Sequence, residues 1–451
     1  MLSVTEKSDT VSKCWGSAAV DSGAEYRPMK YLLTADSEKG FALCNTVTDE
    51  IAVLTKAEEK LFKALPARYR PEMDELIASH FIVPVGYDEK KAVEQIRKML
   101  SLRENSRQLS CYTVLPTTAC NARCFYCFES NFKKMTMSDE TADKLVEFIK
   151  AHSYKEKNVK LDWFGGEPTL CVKTIDRICT ALAEAGYEYY SSMTSNGYLF
   201  DKALAAKAKT LWKLNMIQIT LDGTEEVYNR VKAYVGVTGS PYKKVIDNIG
   251  YILDEGIYLQ VRMNLDKHNA DDLSVLIGEL NTRFGKYDNF KAYVHGLFDN
   301  CGYDPVSHSD ADHLWISKKT AELNAMISKE NKLGGVSLTL PSFRYSNCMA
   351  MSDRCVVVTP DGKLAKCDNC CTTDSVGDLD NGITDKKRVA EWKETFYYPE
   401  CADCPIFPTC INMKNCSCAY SCDEIHRRDL IDTYIDSVQK RISRGKPEAV
   451  K

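Results

Sequence analysis

The chain lacks the features of membrane-spanning, secreted and nucleic-acid-binding proteins. None of its apolar runs approaches the ~20 residues that a membrane span requires, and residues 1–27 have no continuous apolar core of the kind found in signal peptides. Its 59 Lys and Arg are fewer than its 63 Asp and Glu, which gives a net charge of −4. Since nucleic-acid binding proteins neutralise phosphates with a basic surplus, we predict a cytoplasmic protein with neither a nucleic-acid nor a membrane partner.

Histidine is scarce, at seven residues, whereas cysteine is abundant, at 20. Cytosolic thiols are kept reduced, so clustered cysteines there indicate metal binding and not disulfides. Three cysteines lie within residues 120–127, and eleven lie between Cys348 and Cys422. The six scattered ones are expected to be mostly small buried side chains: Cys14, Cys44, Cys111, Cys171, Cys179 and Cys301.

The length of 451 residues predicts more than one domain. Residues 1–28 are polar and aperiodic, which predicts a disordered tail. Short strand-like runs follow, and then two helix patterns, the first with Thr55 and Glu58 at the capping-box spacing. The predicted division is a tail at 1–28, a small domain at 29–102, a central domain at 103–310 and a Cys-rich domain at 311–451.

Strand and helix patterns alternate through the central domain. Such alternation predicts an α/β fold with a parallel sheet, here a partial (β/α)6 barrel. Chemistry in these barrels lies at the carboxyl ends of the strands. The six predicted strands are 111–115, 159–164, 187–193, 216–220, 258–263 and 290–294.

The first of these strands leads into a loop with Cys120, Cys124 and Cys127, spaced C-x3-C-x2-C. Three thiolates can hold three irons of a 4Fe–4S cluster, which leaves the fourth iron open, whereas four-cysteine ligation suits electron transfer. Zinc sites more often consist of two C-x2-C or C/H pairs, so this spacing fits zinc poorly. The loop resembles the signature of the radical S-adenosylmethionine (SAM) enzymes. That resemblance implies that SAM binds the open iron and is reductively cleaved to methionine and a 5′-deoxyadenosyl radical.

The resemblance extends to the carboxyl ends of the next predicted strands. A Gly-Gly-Glu-Pro sequence follows the second strand, and a Ser-Asn pair follows the third. The fourth strand leads into a Leu-Asp-Gly turn, which is followed by an Arg, and an Asn lies at the end of the fifth strand. The resemblance assigns these positions to SAM, with the Glu and neighbouring backbone at its amino group and the Arg at its carboxylate. They are Gly165, Gly166, Glu167, Pro168, Ser195, Asn196, Arg230 and Asn264.

Other interpretations of these residues stay open. The Gly-Gly-Glu-Pro sequence is also compatible with a simple turn. Arg230 is equally compatible with an exposed salt bridge, and Asn264 with a turn-stabilising side chain.

The Cys-rich domain carries C-x13-G-x4-C followed by C-x2-C-x5-C, which resembles the SPASM extension of radical SAM enzymes that modify peptides and proteins. The resemblance implies two auxiliary 4Fe–4S clusters, three clusters in all, whereas the cysteine spacing alone would favour zinc. This chain departs from the pattern at Lys414, where a cysteine is expected, and we assign Cys416 to that place. The first auxiliary cluster would use Cys348, Cys355, Cys367 and Cys416, the second Cys401, Cys404, Cys410 and Cys422, with Cys370, Cys371 and Cys418 as alternatives.

Asp368 follows Cys367 directly. The position resembles that of an Asp in the related anaerobic sulfatase maturases, where the resemblance implies that the Asp accepts a proton from the substrate. Asp368 is therefore a candidate catalytic residue. The alternative is an acidic turn residue beside the hairpin at Asp361-Gly362.

The resemblance implies a maturase of a ribosomally made precursor peptide, a radical SAM oxidoreductase acting on a peptide. Residues 29–102, whose pattern resembles a winged-helix domain, would bind the leader of the precursor. The alternative is that this domain is a structural cap.

The first product expected is a thioether between a Cys sulfur and a carbon, and the next is a carbon–carbon crosslink. The alternative enzyme is an anaerobic sulfatase maturase that forms formylglycine. An iron–sulfur electron carrier is disfavoured, since a carrier has no need of a SAM-binding motif. The electron donor would be a flavodoxin or ferredoxin.

Overall fold

The computed structural model describes residues 2–3, 9–16, 19–105, 108–154, 158–297, 310–329, 340–346, 348–416, 422 and 424–444. Cys301 and Cys418 lie outside the described residues. Within these residues, no helix is both long enough and apolar enough to cross a membrane.

The N-terminal part consists of two small antiparallel sheets and four helices in the described residues. One sheet has the order β1-β5-β4-β3 and the other β6-β2-β7. The elements are β1 Leu2–Ser3, α1 Asp9–Trp15, β2 Glu25–Pro28, β3 Leu32–Ser37, β4 Gly40–Asn45, β5 Ile51–Val53, α2 Lys56–Lys63, β6 Ala67–Arg68, α3 Asp74–Ala78, β7 Ile82–Pro84 and α4 Glu89–Asn105. The Thr55–Glu58 capping box at the start of α2 is present as predicted. Assignment of this region as a winged-helix domain stays a prediction.

Within residues 1–28, the described residues 2–3, 9–16 and 19–28 differ from the disordered tail that the composition predicts. They contain β1, α1 and β2, and β2 pairs with both β6 and β7. Val11 of α1 is buried, and Trp15, one turn later, stacks on His80. These apolar residues are spaced i and i+4 on one helical face. Two such residues are too few to predict a helix from the sequence, and the packing face is recognised only from its contacts in the structure.

The central part contains the predicted parallel sheet, which confirms the α/β class. Strands β8 to β13 lie side by side in sequence order, and each neighbouring pair is parallel. Sequential order with crossovers of one hand places the intervening helices on one face, and it brings all the carboxyl ends to one edge. The elements are β8 Cys111–Thr117, α5 Asp139–His152, β9 Val159–Gly165, α6 Val172–Glu184, β10 Tyr189–Ser195, α7 Lys202–Thr210, β11 Leu214–Thr220, α8 Glu225–Lys232, α9 Pro241–Asp254, β12 Tyr258–Leu265, α10 Ala270–Phe284, β13 Phe290–Gly296 and α11 Asp310–Lys329.

The Cys-rich part extends this same sheet. Its first strand pairs in parallel with β8, with Cys355 opposite Cys111, and the next three strands continue the sheet in antiparallel fashion. The elements are β14 Cys355–Val358, β15 Lys363–Ala365, β16 Ser375–Asp378, β17 Gly382–Ile383, α12 Lys386–Glu391 and α13 Glu424–Arg444. The sheet therefore crosses the predicted boundary between the central and Cys-rich domains.

The N-terminal and Cys-rich parts are also packed against each other. The Arg97 guanidinium of α4 donates to the carbonyl oxygens of Phe407 and Cys410 at 2.6 and 2.7 Å. In addition, Tyr434 and Val438 of α13 pack with Leu33 of β3. The Cys-rich part thus contacts both of the other parts.

Candidate active site

The cysteine loop, which we define as residues 118–135, begins where β8 ends and is closed by its own backbone. Thr118 N donates to Met135 O at 3.0 Å, and Met135 N donates to Thr118 Oγ1 at 2.8 Å. At the middle of the loop, Arg123 N donates to Lys232 O at 2.8 Å. The base and the middle of the loop are therefore attached to regular elements.

The three thiols of the loop lie near one another and are partly withdrawn from solvent. Burial is the main cause that raises the pKa of Cys120 to about 12, and the nearby Glu167, Cys124 and Cys127 contribute because each would add a negative charge. Burial likewise raises the pKa of Cys127. Metal ligation requires thiolates, so binding of iron here would release protons.

The two glycines after β9 are required by the cysteine loop itself. A Cβ atom on Gly166 would lie 2.2 Å from the Ala119 carbonyl oxygen, and one on Gly165 would lie 2.4 Å from the Thr117 carbonyl oxygen. Gly165 also has a φ of +101°, a conformation that suits glycine. The sequence predicts close approach to a ligand; the close approach that the structure shows is to the loop backbone.

Glu167 ties the ends of β9 and β10 together. Its side chain is fully buried, and burial raises its pKa. One carboxylate oxygen accepts hydrogen bonds from Thr169 N at 3.1 Å, from Thr169 Oγ1 and from Ser195 Oγ at 2.9 Å, while the other accepts from Asn196 N at 2.8 Å. A carboxylate has about four acceptor positions, divided between its oxygens. The second oxygen therefore keeps one position for a further donor.

Asn196 connects β10 to the cysteine loop. Its Nδ2 donates to Asn121 Oδ1 at 2.6 Å and lies 3.9 Å from Cys120 Sγ. Ser195, one residue earlier, donates to Glu167 as described above. The Ser-Asn pair after the third central strand is therefore brought beside the first thiol.

A buried ion pair joins the loop to β11 and α8. Lys232 Nζ lies 2.8 Å from Asp222 Oδ2, and both side chains are 2% exposed. Tyr126 of the loop donates to the same oxygen at 2.6 Å and accepts from Lys232 Nζ at 2.8 Å. Burial by itself lowers the pKa of Lys232, but the Asp222 charge outweighs it, so the pKa is well above the usual value.

Arg230 and Asn264, the two remaining predicted SAM contacts, differ in burial. Arg230 is exposed on α8, whereas Tyr228 and Lys232 are buried. Residues two apart on a helix face different directions, so Arg230 does not share the buried direction of Lys232, and its contact with SAM stays a prediction. Asn264 is buried and donates from Nδ2 to Asp222 Oδ1 at 2.9 Å.

The first group of thiols in the Cys-rich part contains three of the four predicted residues. Cys348, Cys367 and Cys416 pack in one cluster, and the last two raise the pKa of Cys348 in addition to the effect of burial. Cys370 belongs to the same cluster, and its thiol contacts that of Cys367, which lowers the pKa of Cys370.

Cys355, predicted as the fourth member of this group, contacts Cys111 instead. The two residues are opposite each other on β14 and β8. A hydrogen bond from Cys111 is the main reason why the pKa of Cys355 falls to about 6. Strand register decides this contact, which is why cysteine spacing did not reveal it. The structure favours Cys370 over Cys355 as the fourth thiol.

The second group of thiols contains the four residues assigned to it. Burial is the main cause that raises the pKa of Cys410 to about 11, and Cys422, Cys401 and Cys404 contribute to this rise. Arg97 lowers the pKa of Cys410, and its guanidinium lies 4.6 Å from the centre of the Phe407 ring. Sequence patterns gave no signal for this Arg, because it lies more than 300 residues away on α4.

Asp368 is accompanied by an acidic residue that the sequence analysis missed. Burial is the main cause of the raised pKa of Asp368. Glu129 is buried, and burial together with Asp368 raises its pKa to about 8. Its Oε1 accepts no hydrogen bond from the described part of the chain. Cys371 is fully buried beside these two groups, and its pKa is raised by burial first and then by Glu129 and Asp368.

No group of three or more His, Cys, Asp and Glu side chains in the described ranges converges tightly enough to hold a single metal ion. A 4Fe–4S cluster differs from a single ion, because its thiolates surround a cage of four irons. The sets of three, four and four neighbouring thiols fit such clusters by number and donor type.

Comparisons with known proteins find a similarity in the central part. Residues 114–279 match the family model described as the Radical SAM superfamily. No curated protein matches the chain. Native anSMEcpe with bound AdoMet shares the fold, with a TM-score of 0.56 and 14% identity over 74% of this chain and 98% of that chain. Streptococcus suis SuiB bound to S-adenosylmethionine also shares it, with a TM-score of 0.53 and 14% identity over 88% of this chain and 99% of that chain. Native anSMEcpe with bound AdoMet and Cp18Cys peptide gives a TM-score of 0.56 at 15% identity over 74% of this chain and 98% of that chain.

Proposed function

We propose that this chain, whose residues 114–279 are a radical SAM domain, is a cytoplasmic oxidoreductase that matures a ribosomally made precursor peptide. The observation that carries the proposal is one continuous sheet. It holds the three-thiol loop at the end of β8 and, beside β8, the Cys-rich part with two further groups of four thiols. The structural similarity to anSMEcpe and SuiB also supports a SAM-dependent enzyme that acts on a peptide. Both structures contain bound AdoMet, and that of anSMEcpe also contains a peptide.

The cysteine loop would hold the first cluster and SAM. When bound, these groups supply a 5′-deoxyadenosyl radical that removes a hydrogen atom from carbon, with the electron provided by a flavodoxin or ferredoxin. Cys120, Cys124 and Cys127 would bind three irons. The protein around them positions the cofactor: the glycines bring β9 against the loop, and Glu167 keeps one acceptor position for an ammonium group.

The Cys-rich part would hold two auxiliary clusters, three clusters in total. Cys401, Cys404, Cys410 and Cys422 form one ligand set, and Cys348, Cys367, Cys370 and Cys416 the other, with Cys355 as the alternative in the latter. When bound, such clusters accept electrons and ligate thiolates. Asp368, next to a ligand of this region, would accept a proton from the substrate, and burial favours this role by raising its pKa.

The product that we propose is a thioether between a Cys sulfur and a carbon of the precursor. One S–H and one C–H bond break and one S–C bond forms, so the peptide loses two hydrogens and two electrons. A hydrogen atom, with its electron, goes to the SAM-derived radical, the thiol proton to a base, and the second electron to an external acceptor. The N-terminal domain, residues 29–102, would bind the leader of the precursor.

The test uses anaerobically reconstituted protein, SAM, reductant and a short Cys-containing peptide encoded beside this gene. We expect a mass loss of two hydrogens per event, with one cysteine per event made unreactive to alkylating reagent even after reduction. The same mass loss with every thiol still alkylatable would replace the thioether with a carbon–carbon crosslink. An aldehyde trapped by a hydrazine would show formylglycine formation, and absence of any product with each tested peptide would count against peptide maturation.

A further inference from the structure

Arg97 of α4 is a buried cation whose hydrogen bonds reach only neutral groups in the part of the chain that the structure describes. The residue is 8% exposed. Its Nε donates to the Arg344 carbonyl oxygen at 3.1 Å, and its Nη1 donates to Tyr397 Oη at 3.0 Å. Its Nη2 donates to the carbonyl oxygens of Phe407 and Cys410 at 2.6 and 2.7 Å. None of these four acceptors carries a charge that would balance the guanidinium.

Three aromatic rings lie around the same guanidinium. Its carbon is 4.6 Å from the ring centroid of Phe407, 5.4 Å from that of Tyr397 and 5.9 Å from that of Phe343. Such rings attract a cation through their π faces, but each contact offsets only part of the free-energy cost of removing a charge from water. Burial accordingly lowers the pKa of Arg97.

Within the described ranges, no carboxylate forms an ion pair with Arg97. Glu94, which lies one turn earlier on α4, is exposed to solvent, and its Oε1 lies 3.8 Å from Lys90 Nζ. Solvent screens the charge of such an exposed group. Buried charges in proteins are paired or associated with metal centres, because an isolated buried charge is costly. Arg97 therefore calls for a negative charge other than these side chains.

The second group of thiols would supply this negative charge when it holds a cluster. Cys410 contributes a thiol to the group and also the carbonyl oxygen that accepts from Arg97. The guanidinium charge lowers the pKa of Cys410, against the larger effect of burial, which raises it. Four thiolates around a 4Fe–4S core give the site a net negative charge, and one-electron reduction makes that charge more negative.

Two further contacts hold the segment of the second group against the N-terminal part. Tyr31 Oη donates to the Ala402 carbonyl oxygen at 3.3 Å, and Thr46 Oγ1 donates to the Pro405 carbonyl oxygen at 2.7 Å. These two carbonyl oxygens belong to the residues that directly follow the first two thiols of the group. Side chains of the N-terminal part therefore fix the position of these thiols relative to Arg97.

We propose that Arg97 is the counter-charge of the cluster held by the second group of thiols and that it raises the reduction potential of this cluster. The inference rests on the proposed function, which assigns a 4Fe–4S cluster to that group. A buried cation stabilises the reduced state more than the oxidised state, because the reduced state is more negative and little solvent screens the attraction. The electron taken up in turnover is the second electron of the proposed crosslinking step, on its way to the external acceptor. Arg97 acts through the cluster and is a positioning residue that the N-terminal part supplies to the Cys-rich part.

The test is an anaerobic redox titration of the reconstituted full chain with dithionite, followed by electron paramagnetic resonance. The signal of the second group is identified as the one that the variant Cys401→Ala loses. Arg97→Gln removes the charge but keeps an N–H donor. At a given solution potential, its ratio of reduced to oxidised cluster in this group should fall at least tenfold, which corresponds to about 59 mV for one electron. Arg97→Lys keeps the charge and should restore most of the ratio of the parent chain.

Lys98→Gln is the matched control, because it removes the same charge from the exposed neighbour of Arg97 on α4. Its ratio of reduced to oxidised cluster should equal that of the parent chain. An unchanged ratio in Arg97→Gln with full iron content would overturn the proposal. Equal shifts in Arg97→Gln and Arg97→Lys would also overturn it, since they would assign the effect to hydrogen bonding and not to charge.

Arg97→His keeps the proposal testable if Arg97→Gln does not retain its clusters. An imidazole keeps a planar ring among the aromatic neighbours, and its charge depends on pH. Relative to the parent chain, the ratio of reduced to oxidised cluster should rise as the pH falls from about 9 to about 6. The titratable neighbours Tyr31, Tyr397 and Glu94 are the same in both chains, so identical pH dependence would overturn the proposal.

The result also separates this inference from the proposed function. A potential that does not respond to the charge at position 97, with iron present in the second group, would sink the inference and leave the proposed function intact. Zinc in place of iron in the second group would instead remove the cluster on which both of them rest.

Discussion

The cysteine loop and the Cys-rich part both gather thiols, but they position them in different ways. The loop is attached to three adjacent strands through backbone hydrogen bonds, two glycines without room for a Cβ, and the fully buried Glu167. In the Cys-rich part, the second group of thiols lies on short turns and 3-10 segments around residues 399–410, with Cys422 beyond them. Regular structure thus fixes the first site, whereas the second depends more on its ligands for its shape. Metal binding and folding are accordingly expected to be more strongly coupled in the Cys-rich part.

The largest effect is expected when the loop loses all three thiols. The variant Cys120→Ala/Cys124→Ala/Cys127→Ala should lose SAM cleavage completely and retain about eight of about twelve irons per chain. Because β8 to β10 are built from other contacts, its circular dichroism should match that of the parent protein. Iron analysis and anaerobic SAM turnover measure the two outcomes; retained SAM cleavage would place the reaction elsewhere.

The next prediction compares Cys370 with Cys355 in the Cys-rich part. Cys370→Ala should remove or destabilise one auxiliary cluster, which corresponds to about four irons, and should lower the melting temperature. Cys355→Ala is the matched control and should keep its full iron content, because Cys355 contacts Cys111 instead of the first group of thiols. The reverse pattern in iron analysis would restore Cys355 as the fourth ligand.

Lys232→Met tests how strongly the loop depends on the buried ion pair. Removal of this cation leaves the Asp222 carboxylate buried without its charge partner, which should cost about 3–5 kcal/mol of unfolding free energy. Asp222→Asn combined with Lys232→Met should recover part of that loss. Arg230→Met is the control on the exposed side of the same helix, and urea denaturation should show little change for it.

The smallest of these effects is expected at Arg97, between the N-terminal and Cys-rich parts. Arg97→Ala leaves the carbonyl oxygens of Phe407 and Cys410 without this donor, so we expect a loss of about 2–3 kcal/mol. The exposed neighbour Lys98 provides the control variant, Lys98→Ala. A thermal melt followed by iron release measures the effect, and equal melting of the two variants would show that Arg97 does not support the second group of thiols.

The central strands could be predicted because alternation of strand and helix patterns is local in the sequence. Spacing likewise singled out the thiols that the structure brings together in the cysteine loop and in the second group. The contact of Cys355 with Cys111 and the burial of Lys232 in place of Arg230 depend on strand register and on which helical face packs. The helix at Asp9–Trp15 depends on partners far away in the chain, so a polar composition concealed it.

The pairing of β14 with β8 restricts how this protein can be divided. A fragment that ends near residue 297 would contain all six central strands and the cysteine loop, but one side of β8 would lose its partner. Unpaired strand edges attract other strands and promote aggregation. A minimal fragment of the central part therefore needs at least the hairpin of β14 and β15, and its recombination with foreign C-terminal extensions requires a strand that fits beside β8.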